Sequence, residues 1–561
     1  MDTQGRQLLV TGSRVYTGSR SQPWAEAVLI EGDRIVFVGL EDDARQRADT
    51  NAGEIRVEGG LVTAGLNDSH IHTEYGGYAL TTLNLEGVFT MPELQHRLRE
   101  YAEAYPDREW IEGYSLFYEP MTGLEIPERE ALDAAVADRP VYIRAFDFHS
   151  AWCNTEALRR AGIDRGANVE PPNEVVVDPR TGVATGMLKE GAKNLVDAVL
   201  AEPTEDQMME MLCDACRYLN SLGITSVQNM NGNLTSLERW ARLKARDELT
   251  IRMYTYMNVR EEMPREYLND ILAYTKQYAD EWNRAAGVKL FIDGVVEAKT
   301  AWMLDPYADG SGDTGVPDLD PGAYREIVVE SDRLGMDVAT HAIGSRGIRG
   351  ALDAYEAAQN ANGGRRGRRH RVEHIEAPDP KDLERFGRLG VTASMQPLHA
   401  APTSDPRFTP WTQLIGPERE VYAFPWRTLI ETGARLSYGS DWPVVTPDVR
   451  IGLHTAVTRQ NPAGLPAGGW HPQLSVTLAQ AIDAYTSGAA YAQQQEDIKG
   501  TIEPGKVADI SVFARDLFAL HPDELMDTEI ALTIVGGRVV HQGSKVDADR
   551  DLAASAGSVA R

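Results

Sequence analysis

The segment that most constrains the fold is residues 61–75, in which an apolar run ends in a polar stretch that contains His70 and His72 with Ile71 between them. Residues two apart in a β-strand project to the same face, so both imidazoles would point together and Ile71 would pack. Two neutral imidazoles that converge at a strand end can chelate a divalent metal ion. The pair alone equally fits two polar residues where a strand frays, so other segments must supply further ligands.

The composition excludes several classes of protein. A chain of 561 residues with 42% hydrophobic and 25% charged residues fits a globular protein of one large domain with additions, or of several domains. Its formal net charge of −28 argues against a nucleic-acid partner. No stretch approaches the roughly 18 apolar residues of a membrane helix, and no signal peptide is evident. We therefore expect a cytoplasmic protein without a membrane partner.

Strands and helices alternate through the middle of the chain. After the strand that carries His70, seven more are predicted at residues 223–230, 250–257, 287–294, 337–344, 370–376, 390–397 and 434–443. Eight strands with helices between most of them predict an α/β fold, a (β/α)8 TIM-like barrel. A doubly wound open sheet is the alternative, but no G-x-G-x-x-G motif follows any of these strands.

The two ends of the chain differ from the middle, because both read as short β-strands. We predict a small β-sandwich formed by residues 1–64 and 496–561, with the barrel at residues 65–495. Two unrelated β appendages are the alternative. Residues 76–200 are too many for one βα unit and predict an inserted lid subdomain. Insertions after a barrel strand lie over the C-terminal mouth, where active sites sit.

Three other motifs have simpler interpretations. Residues 500–506 fit G-x-x-x-x-G-K, but Val507 stands where a phosphate loop needs Ser or Thr, so we predict no nucleotide site. The basic run at residues 363–371 lacks interleaved aromatic residues and is interpreted as a solvated loop. Cys213 and Cys216 form a C-x-x-C within an amphipathic pattern, which predicts helix packing.

The candidate functional residues cluster at predicted strand ends. The first strand carries His70 and His72, the fifth ends at His341, the sixth carries His374 and the eighth ends at Asp441. Imidazole and carboxylate ligands suit zinc and comparable divalent ions. Such an ion lowers the pKa of water from about 15.7 to near 7 and polarises a carbonyl. We predict a site for one or two divalent ions, in the first place zinc, at which Asp441 transfers protons.

The fourth strand adds Lys289, which raises the question of a second ion. Two ions need a bridging ligand, and a lysine provides one only when carbamylation turns it into a carboxylate. Lys289 is the candidate for that bridge. An unmodified Lys289 paired with a nearby carboxylate is the alternative.

The motifs resemble those of the amidohydrolase superfamily, in the branch that includes N-substituted formamide deformylases. The resemblance runs over nearly the whole chain and is clearest in LVTAGLNDSHIH, GVKLFIDGVVEAKTA, ATHAIGSRGI, RVEHIEAPDP and GSDWPV. It implies a metal-dependent hydrolase that self-associates as a homodimer. The implied metal ligands are His70, His72, His341, His374 and Asp441, with Lys289 as carbamylated bridge. Lys299 replaces a frequent Arg, which could alter substrate fit.

Further residues are candidates for substrate binding. The resemblance implies that His149 and Glu190, both in the insertion, face the active site. Either His341 or His149 is a candidate to stabilise an oxyanion together with the metal. Gln396, at the end of the seventh strand, is a candidate hydrogen-bond partner of the substrate.

Three tryptophans flank the motifs, namely Trp152, Trp302 and Trp442. Aromatic walls are common in ligand sites, so these residues favour a substrate with a hydrophobic or aromatic substituent. We predict hydrolysis of the C–N bond of a small non-peptide amide, an N-substituted formamide or N-acyl compound. A cyclic amide, carbamate or ester on the same site is the alternative. A non-catalytic assembly protein on this scaffold is a third reading, against which the full ligand set argues.

Overall fold

The computed structural model describes residues 7–116, 120, 128–145, 150–170, 173–364, 367–401, 405–544 and 546–548. The chain divides into two compact units. The larger unit holds residues 1–72, 216–441 and 447–561, and the smaller unit holds residues 73–215 and 442–446. The exact domain boundaries predicted from the sequence stay predictions.

The N-terminal part of the larger unit consists of short strands and one helix, as its alternating sequence predicts. Their bounds are β1 (Gln7–Thr11), β2 (Arg14–Tyr16), β3 (Trp24–Ala25), β4 (Ala27–Glu31), β5 (Arg34–Gly39), α1 (Glu41–Arg47), β6 (Gly53–Arg56) and β7 (Leu61–Ala64). Strand β1 pairs with β4 antiparallel and with β6 parallel. Strand β8 (Leu66–Ile71) follows after one glycine, and all six of its residues are buried. His72 comes directly after it.

The smaller unit contains a mixed sheet with helices. Its elements are α2 (Thr73–Ala79), β9 (Leu83–Asn84), α3 (Met91–Ala104), β10 (Ile111–Leu116), α4 (Glu130–Asp133), β11 (Val141–Ala145), β12 (Ser150–Cys153), α5 (Thr155–Arg160), β13 (Glu174–Asp178), β14 (Val183–Lys189) and α6 (Asn194–Asp197). The strand order is β13-β14-β12-β11-β10-β9. Val141 and Ile143 enter one apolar cluster and Tyr142 enters another. Since alternate residues of a strand point to opposite faces, both faces of this sheet are covered.

The chain returns through α7 (Glu205–Ser221), which includes both cysteines of the C-x-x-C, as predicted. The remaining barrel strands are β15 (Ile224–Gly232), β16 (Arg252–Asn258), β17 (Asn283–Phe291), β18 (Asp337–Ala342), β19 (Arg371–His374), β20 (Thr392–Met395) and β21 (Arg435–Tyr438). The helices that accompany them are α8 (Leu234–Ala245), α9 (Tyr267–Gln277), α10 (Pro321–Leu334), α11 (Ser345–Asn362), α12 (Leu383–Leu389), α13 (Pro410–Ile415), α14 (Pro417–Glu420), α15 (Trp426–Glu431), α16 (Val449–Thr458), α17 (Leu478–Tyr485) and α18 (Ser487–Ala492).

Within the described residues, the eight strands β8 and β15–β21 form one sheet, and neighbouring strands pair in parallel. The sheet closes because the first and last strands meet at their C-terminal ends, where the Asp441 N–H donates to the His70 carbonyl at 2.7 Å. A Cβ on Gly439 would lie 2.3 Å from the His70 nitrogen, so this approach requires glycine. The predicted (β/α)8 barrel is confirmed.

Helix signals in the sequence explain where the barrel helices begin and end. Helix α10 begins after Asp320, whose carboxylate accepts the N–H groups of Gly322 and Ala323, and proline occupies its first turn. The helix ends at Gly335, which adopts a left-handed conformation with φ of 90°. These two signals fix where helix α10 begins and ends.

The C-terminal strands complete the terminal sheets. Their bounds are β22 (Ile510–Phe513), β23 (Ile530–Val535), β24 (Arg538–Gln542) and β25 (Asp547–Ala548). The sheet orders are β25-β6-β1-β4-β5 and β24-β23-β22-β7-β2-β3. Apolar residues of both sheets, such as Val10, Val62 and Ile510, share one buried cluster. The sandwich is therefore built from both ends of the chain, as the sequence predicts.

The segment that fits a phosphate-loop pattern lies in this sandwich. Residues 500–506 lead into strand β22 and not into a helix. The Lys506 ammonium donates to the Glu496 carbonyl at 2.7 Å and to the Thr501 hydroxyl at 2.6 Å. Among the described helices, none has both the length and the apolar composition needed to span a bilayer.

Candidate metal centre

The C-terminal ends of the barrel strands bring the predicted ligands together. One ligand atom each from His70, His374 and Asp441 lies within 4.8 Å of the others, and all three residues are buried. The ring centroids of His341 and His374 are 4.4 Å apart, and those of His70 and His72 are 5.5 Å apart. The parallel strands explain this, because they all end at the same rim of the barrel.

Asp441 lies at the centre of the cluster. Its Oδ1 is 2.9 Å from Nε2 of His72 and 3.3 Å from Nε2 of His70. Its Oδ2 faces Nδ1 of His374 at 4.0 Å. Both Asp441 (φ 65°) and His374 (φ 75°) have left-handed backbones, which turn their side chains abruptly at the strand ends. Such conformations are uncommon outside glycine and cluster at functional sites.

Three of the histidines are oriented by acceptors outside the cluster. Nδ1 of His70 donates to Oε2 of Glu373 at 2.6 Å, and Nδ1 of His72 donates to Oδ1 of Asn231 at 3.0 Å. Nε2 of His341 donates to the carbonyl of Gly294 at 3.2 Å. In its neutral form, each of these imidazoles keeps the lone pair of its other ring nitrogen. Metal-ligating histidines are held in the same way by outer acceptors.

Beneath the cluster lies a fully buried ion pair between Arg371 and Glu373. The Arg371 guanidinium also donates to Gln228, the Ser69 carbonyl and the Ser394 hydroxyl. The interpretation of residues 363–371 as a solvated loop is therefore wrong for Arg371, which is the first residue of β19. Its charge is buried because Glu373 compensates it, two residues along the same strand face.

The electrostatics favour neutral imidazoles around an ionised carboxylate. Burial lowers the pKa of His341 to about 3, helped by the charge of Lys289, and holds that of His374 well below its usual value. Burial opposes ionisation of Asp441, but His70 and His72 hold its pKa well below the usual range. Neutral imidazole and ionised carboxylate are the forms that bind a metal.

Several buried polar atoms of the cluster have no hydrogen-bond partner within the part of the chain that the structure describes. They are Nζ of Lys289, Nδ1 of His374 and Oδ1 of Asp441. An unsatisfied buried polar group costs about 1–3 kcal/mol, so three of them among the predicted ligands need an explanation. A divalent cation bound between them satisfies the imidazole and the carboxylate together. The residues present therefore fit a metal ion.

Lys289 lies on β17 and is completely buried. Burial lowers the pKa of Lys289 to about 8, against the opposing charges of Glu373 and Asp441. Its Nζ is 4.8 Å from the ring centroid of Phe291 and makes no hydrogen bond among the described residues. Whether Lys289 is carbamylated stays a prediction.

The sequence analysis missed a second group of side chains beside the cluster. Nδ1 of His399 is 3.5 Å from Oε1 of Glu376, and Nε2 of His399 is 3.7 Å from Oδ2 of Asp441. The other oxygen of Glu376 accepts the indole N–H of Trp411 at 2.8 Å. A signal was available, since Glu376 is the last residue of the strand predicted at residues 370–376 and His399 lies two residues after the strand predicted at residues 390–397.

Two other predicted residues lie in the larger unit. Gln396 follows strand β20 and is 1% exposed, and neither polar atom of its side-chain amide has a hydrogen-bond partner in the described ranges. Trp302 is half-buried, and its backbone N–H donates to the carboxylate of Asp293 at 2.9 Å. Asp293 also accepts the N–H groups of Ile343 and Gly344, and thereby fastens the turn that follows His341.

The remaining predicted substrate residues belong to the smaller unit. Trp152 is fully buried in its apolar core, and the ring of Trp442 packs against Gly76. Glu190 is half-buried with a left-handed backbone, φ 49°. His149 lies outside the described residues. Substrate binding by these four residues stays a prediction.

A parallel barrel with imidazoles and a carboxylate at its C-terminal rim is the arrangement of a metal-dependent hydrolase. Residues 54–541 match the model of the amidohydrolase family, so the chain belongs to that family.

Two relatives and one solved structure are similar over most of the chain. Protein LONG AFTER FAR-RED 3 of Arabidopsis thaliana is 28% identical over 95% of this chain and 91% of its own. The N-substituted formamide deformylase of Arthrobacter pascens is 26% identical over 95% of this chain and 98% of its own. An uncharacterized metal-dependent hydrolase from Pyrococcus horikoshii superposes with a TM-score of 0.71 at 25% identity, covering 92% of this chain and 99% of its own.

Proposed function

We propose that the protein hydrolyses the C–N bond of a small, non-peptide amide, an N-substituted formamide or a related N-acyl compound. The observation that carries the proposal is the geometry of three histidines. Outer acceptors orient His70, His72 and His341 so that each keeps one ring lone pair, beside the ionised carboxylate of Asp441. Similarity to a formamide deformylase over nearly the full chain supports the substrate class.

The residues that would hold the ion are His70, His72, His341, His374 and Asp441, with zinc the first choice for such a ligand set. When bound, a divalent ion polarises an amide carbonyl and makes water a nucleophile near neutral pH. Lys289 would bridge a second ion after its neutral amine adds CO2, which yields a carbamate and releases one proton. Its lowered pKa favours the neutral amine that this addition requires.

Asp441 has the proton-transfer role in the proposed reaction. Its Oδ2 points away from His70 and His72, the two histidines that contact Oδ1. Oδ2 accepts a proton from the attacking water and returns it to the amide nitrogen, so that R–NH–CHO and water become R–NH2 and formic acid. The side-chain amide of Gln396 is buried and has no partner among the residues described, so it is suited to bind a polar group of the substrate.

Hydrolysis of a cyclic amide, carbamate or ester on the same site is the second candidate, because a fold and a metal site do not determine the substrate. A non-catalytic assembly role is the third. The orientation of three ligand histidines by outer acceptors argues against it, since an assembly scaffold has no need of oriented lone pairs.

The proposal is tested by a substrate panel with metal-loaded protein. The panel contains N-alkyl and N-aryl formamides, the matching acetamides, a cyclic amide, a carbamate and an ester. We expect equimolar formate and amine from a formamide, a loss of at least about a hundredfold in rate after chelation, and recovery on adding Zn²⁺. Cleavage of the ester alone, or cleavage that survives chelation, would contradict the proposal.

A further inference from the structure

We propose that His399, held in place by Glu376 and Trp411, is a positioning residue that fixes Oδ2 of Asp441. The inference rests on the proposed function, in which that oxygen moves the proton. It adds residues that neither the ligand motifs nor the family match assigns. His399, Glu376, Trp411 and Asp441 all belong to the larger unit.

His399 is held by a short helix, by the ring of His374 and by Glu376. Strand β20 ends at Met395, and residues 397–400 form a short 3-10 helix that presents His399. Its ring stacks on that of His374, with the planes 8° apart and the centroids separated by 5.8 Å. Nδ1 faces Oε1 of Glu376 at 3.5 Å. The ring therefore has one face on a ligand histidine and one edge on a carboxylate.

Glu376 is in turn held by hydrogen bonds from Trp411 and Phe424. Its Oε2 accepts the indole N–H of Trp411 at 2.8 Å, and its backbone carbonyl accepts the N–H of Phe424 at 3.0 Å. Glu376 is 6% exposed, and Trp411 also is buried. A carboxylate bound at one oxygen by a buried tryptophan has little freedom to turn, so its other oxygen stays directed at His399.

The edge of the His399 ring opposite Glu376 faces Asp441. Nε2 of His399 is buried, has no hydrogen-bond partner among the described residues, and lies 3.7 Å from Oδ2 of Asp441. The opposite oxygen of Asp441 faces His70 and His72. The carboxylate thus lies between ligand histidines on one side and His399 on the other. Glu376, His399 and Asp441 follow the ends of β19, β20 and β21, three consecutive barrel strands.

If Nε2 of His399 and Oδ2 of Asp441 moved closer by a few tenths of an ångström, they would form a hydrogen bond. Active-site hydrogen bonds are often long before substrate binds and tighten in the complex. Outer-sphere partners of a metal site are typically worth 10–100-fold in activity or affinity. We expect His399 to contribute about 10–100-fold to activity through its effect on Asp441.

The test compares H399F, which keeps a ring on His374 but removes both nitrogens, with H399Q, which restores one polar group. We expect H399F to lower kcat by about 10–100-fold with KM changed less than about threefold, and H399Q to recover part of kcat. E376Q should lower kcat less, and E376Q/H399F should be no worse than H399F, because the two residues act as a unit. The control is H454F, which removes a buried imidazole that contacts the Pro522 carbonyl.

Cobalt supplies a readout that does not depend on turnover. With Co²⁺ loaded, H399F should bind the same amount of cobalt as the wild type but show a changed visible absorption band, because Asp441 is reoriented. H454F should leave the band unchanged. If wild-type protein hydrolyses no amide while H399F changes the band, the proposed function fails and the inference stands.

Three results would overturn the inference. An unchanged kcat per folded, metal-loaded molecule together with an unchanged band would leave His399 a merely structural residue. Loss of one bound ion in H399F would make His399 a metal ligand. A raised KM with unchanged kcat would make it a substrate contact that does not act through Asp441.

Discussion

Replacement of Asp441 by Asn is expected to lower kcat about a thousandfold while most of the metal stays bound. Asparagine keeps the shape of the side chain and one oxygen next to His70 and His72, which Oδ1 of Asp441 contacts at 3.3 and 2.9 Å. An amide cannot accept the proton of the attacking water, so the loss falls on the chemical step. The measurement is kcat and KM of D441N with metal content determined on the same sample.

A matched control for D441N is D483N, in which the replaced carboxylate accepts the hydroxyl of Tyr16 at 2.9 Å. D483N should retain wild-type kcat. If D441N kept kcat within tenfold of the wild type at equal metal content, Asp441 would not be the proton-transfer group.

Replacement of both His70 and His72 by Asn is expected to abolish stable metal binding. Sites with four ligands bind zinc with a free energy of about 10–16 kcal/mol, which is about 3 kcal/mol per ligand. The loss of two ligands therefore lowers the metal affinity about ten-thousandfold. Apparent stability should fall too, because bound metal stabilises only the folded protein. Metal affinity is measured by competition with a chelator, and the folded state by circular dichroism.

The control for this double variant is H96N, because His96 is exposed on helix α3. Among the ion pairs of the described residues, its one partner is Glu100, at 3.3 Å. H96N should bind metal like the wild type. Wild-type affinity in H70N/H72N, with the fold intact, would show that the first barrel strand does not supply the ligands.

The barrel strands were predictable because each combines an apolar run with a turn signal at its end. The strand predicted at residues 337–344 is β18 (Asp337–Ala342), and the strand predicted at residues 434–443 contains β21 (Arg435–Tyr438). Parallel strands end at one rim, so assigning His341 and Asp441 to strand ends was enough to place them together. His70 and His72 project together as the two-residue period requires.

The support of the site was not predictable, because it depends on contacts between residues distant in sequence. Glu373 reaches His70, and Arg371 reaches Gln228 and Ser69, across the closed barrel. A basic run next to a strand is usually a solvated loop, and only the tertiary structure places the last arginine of this run in the interior. Glu376 and Trp411 meet only through the loops that follow β19 and β20.

The central claim is that this barrel is a metal-dependent amidohydrolase, and metal content per chain tests it most directly. Elemental analysis is done on protein purified without chelator, with the intact mass measured under gentle native conditions for a carboxyl group on Lys289. The account predicts at least one divalent ion per chain. Two ions with the added carboxyl group would support the bridge, and one ion with an unmodified Lys289 would remove it. Folded protein that holds no divalent ion, and takes up none when zinc is supplied, would contradict the account.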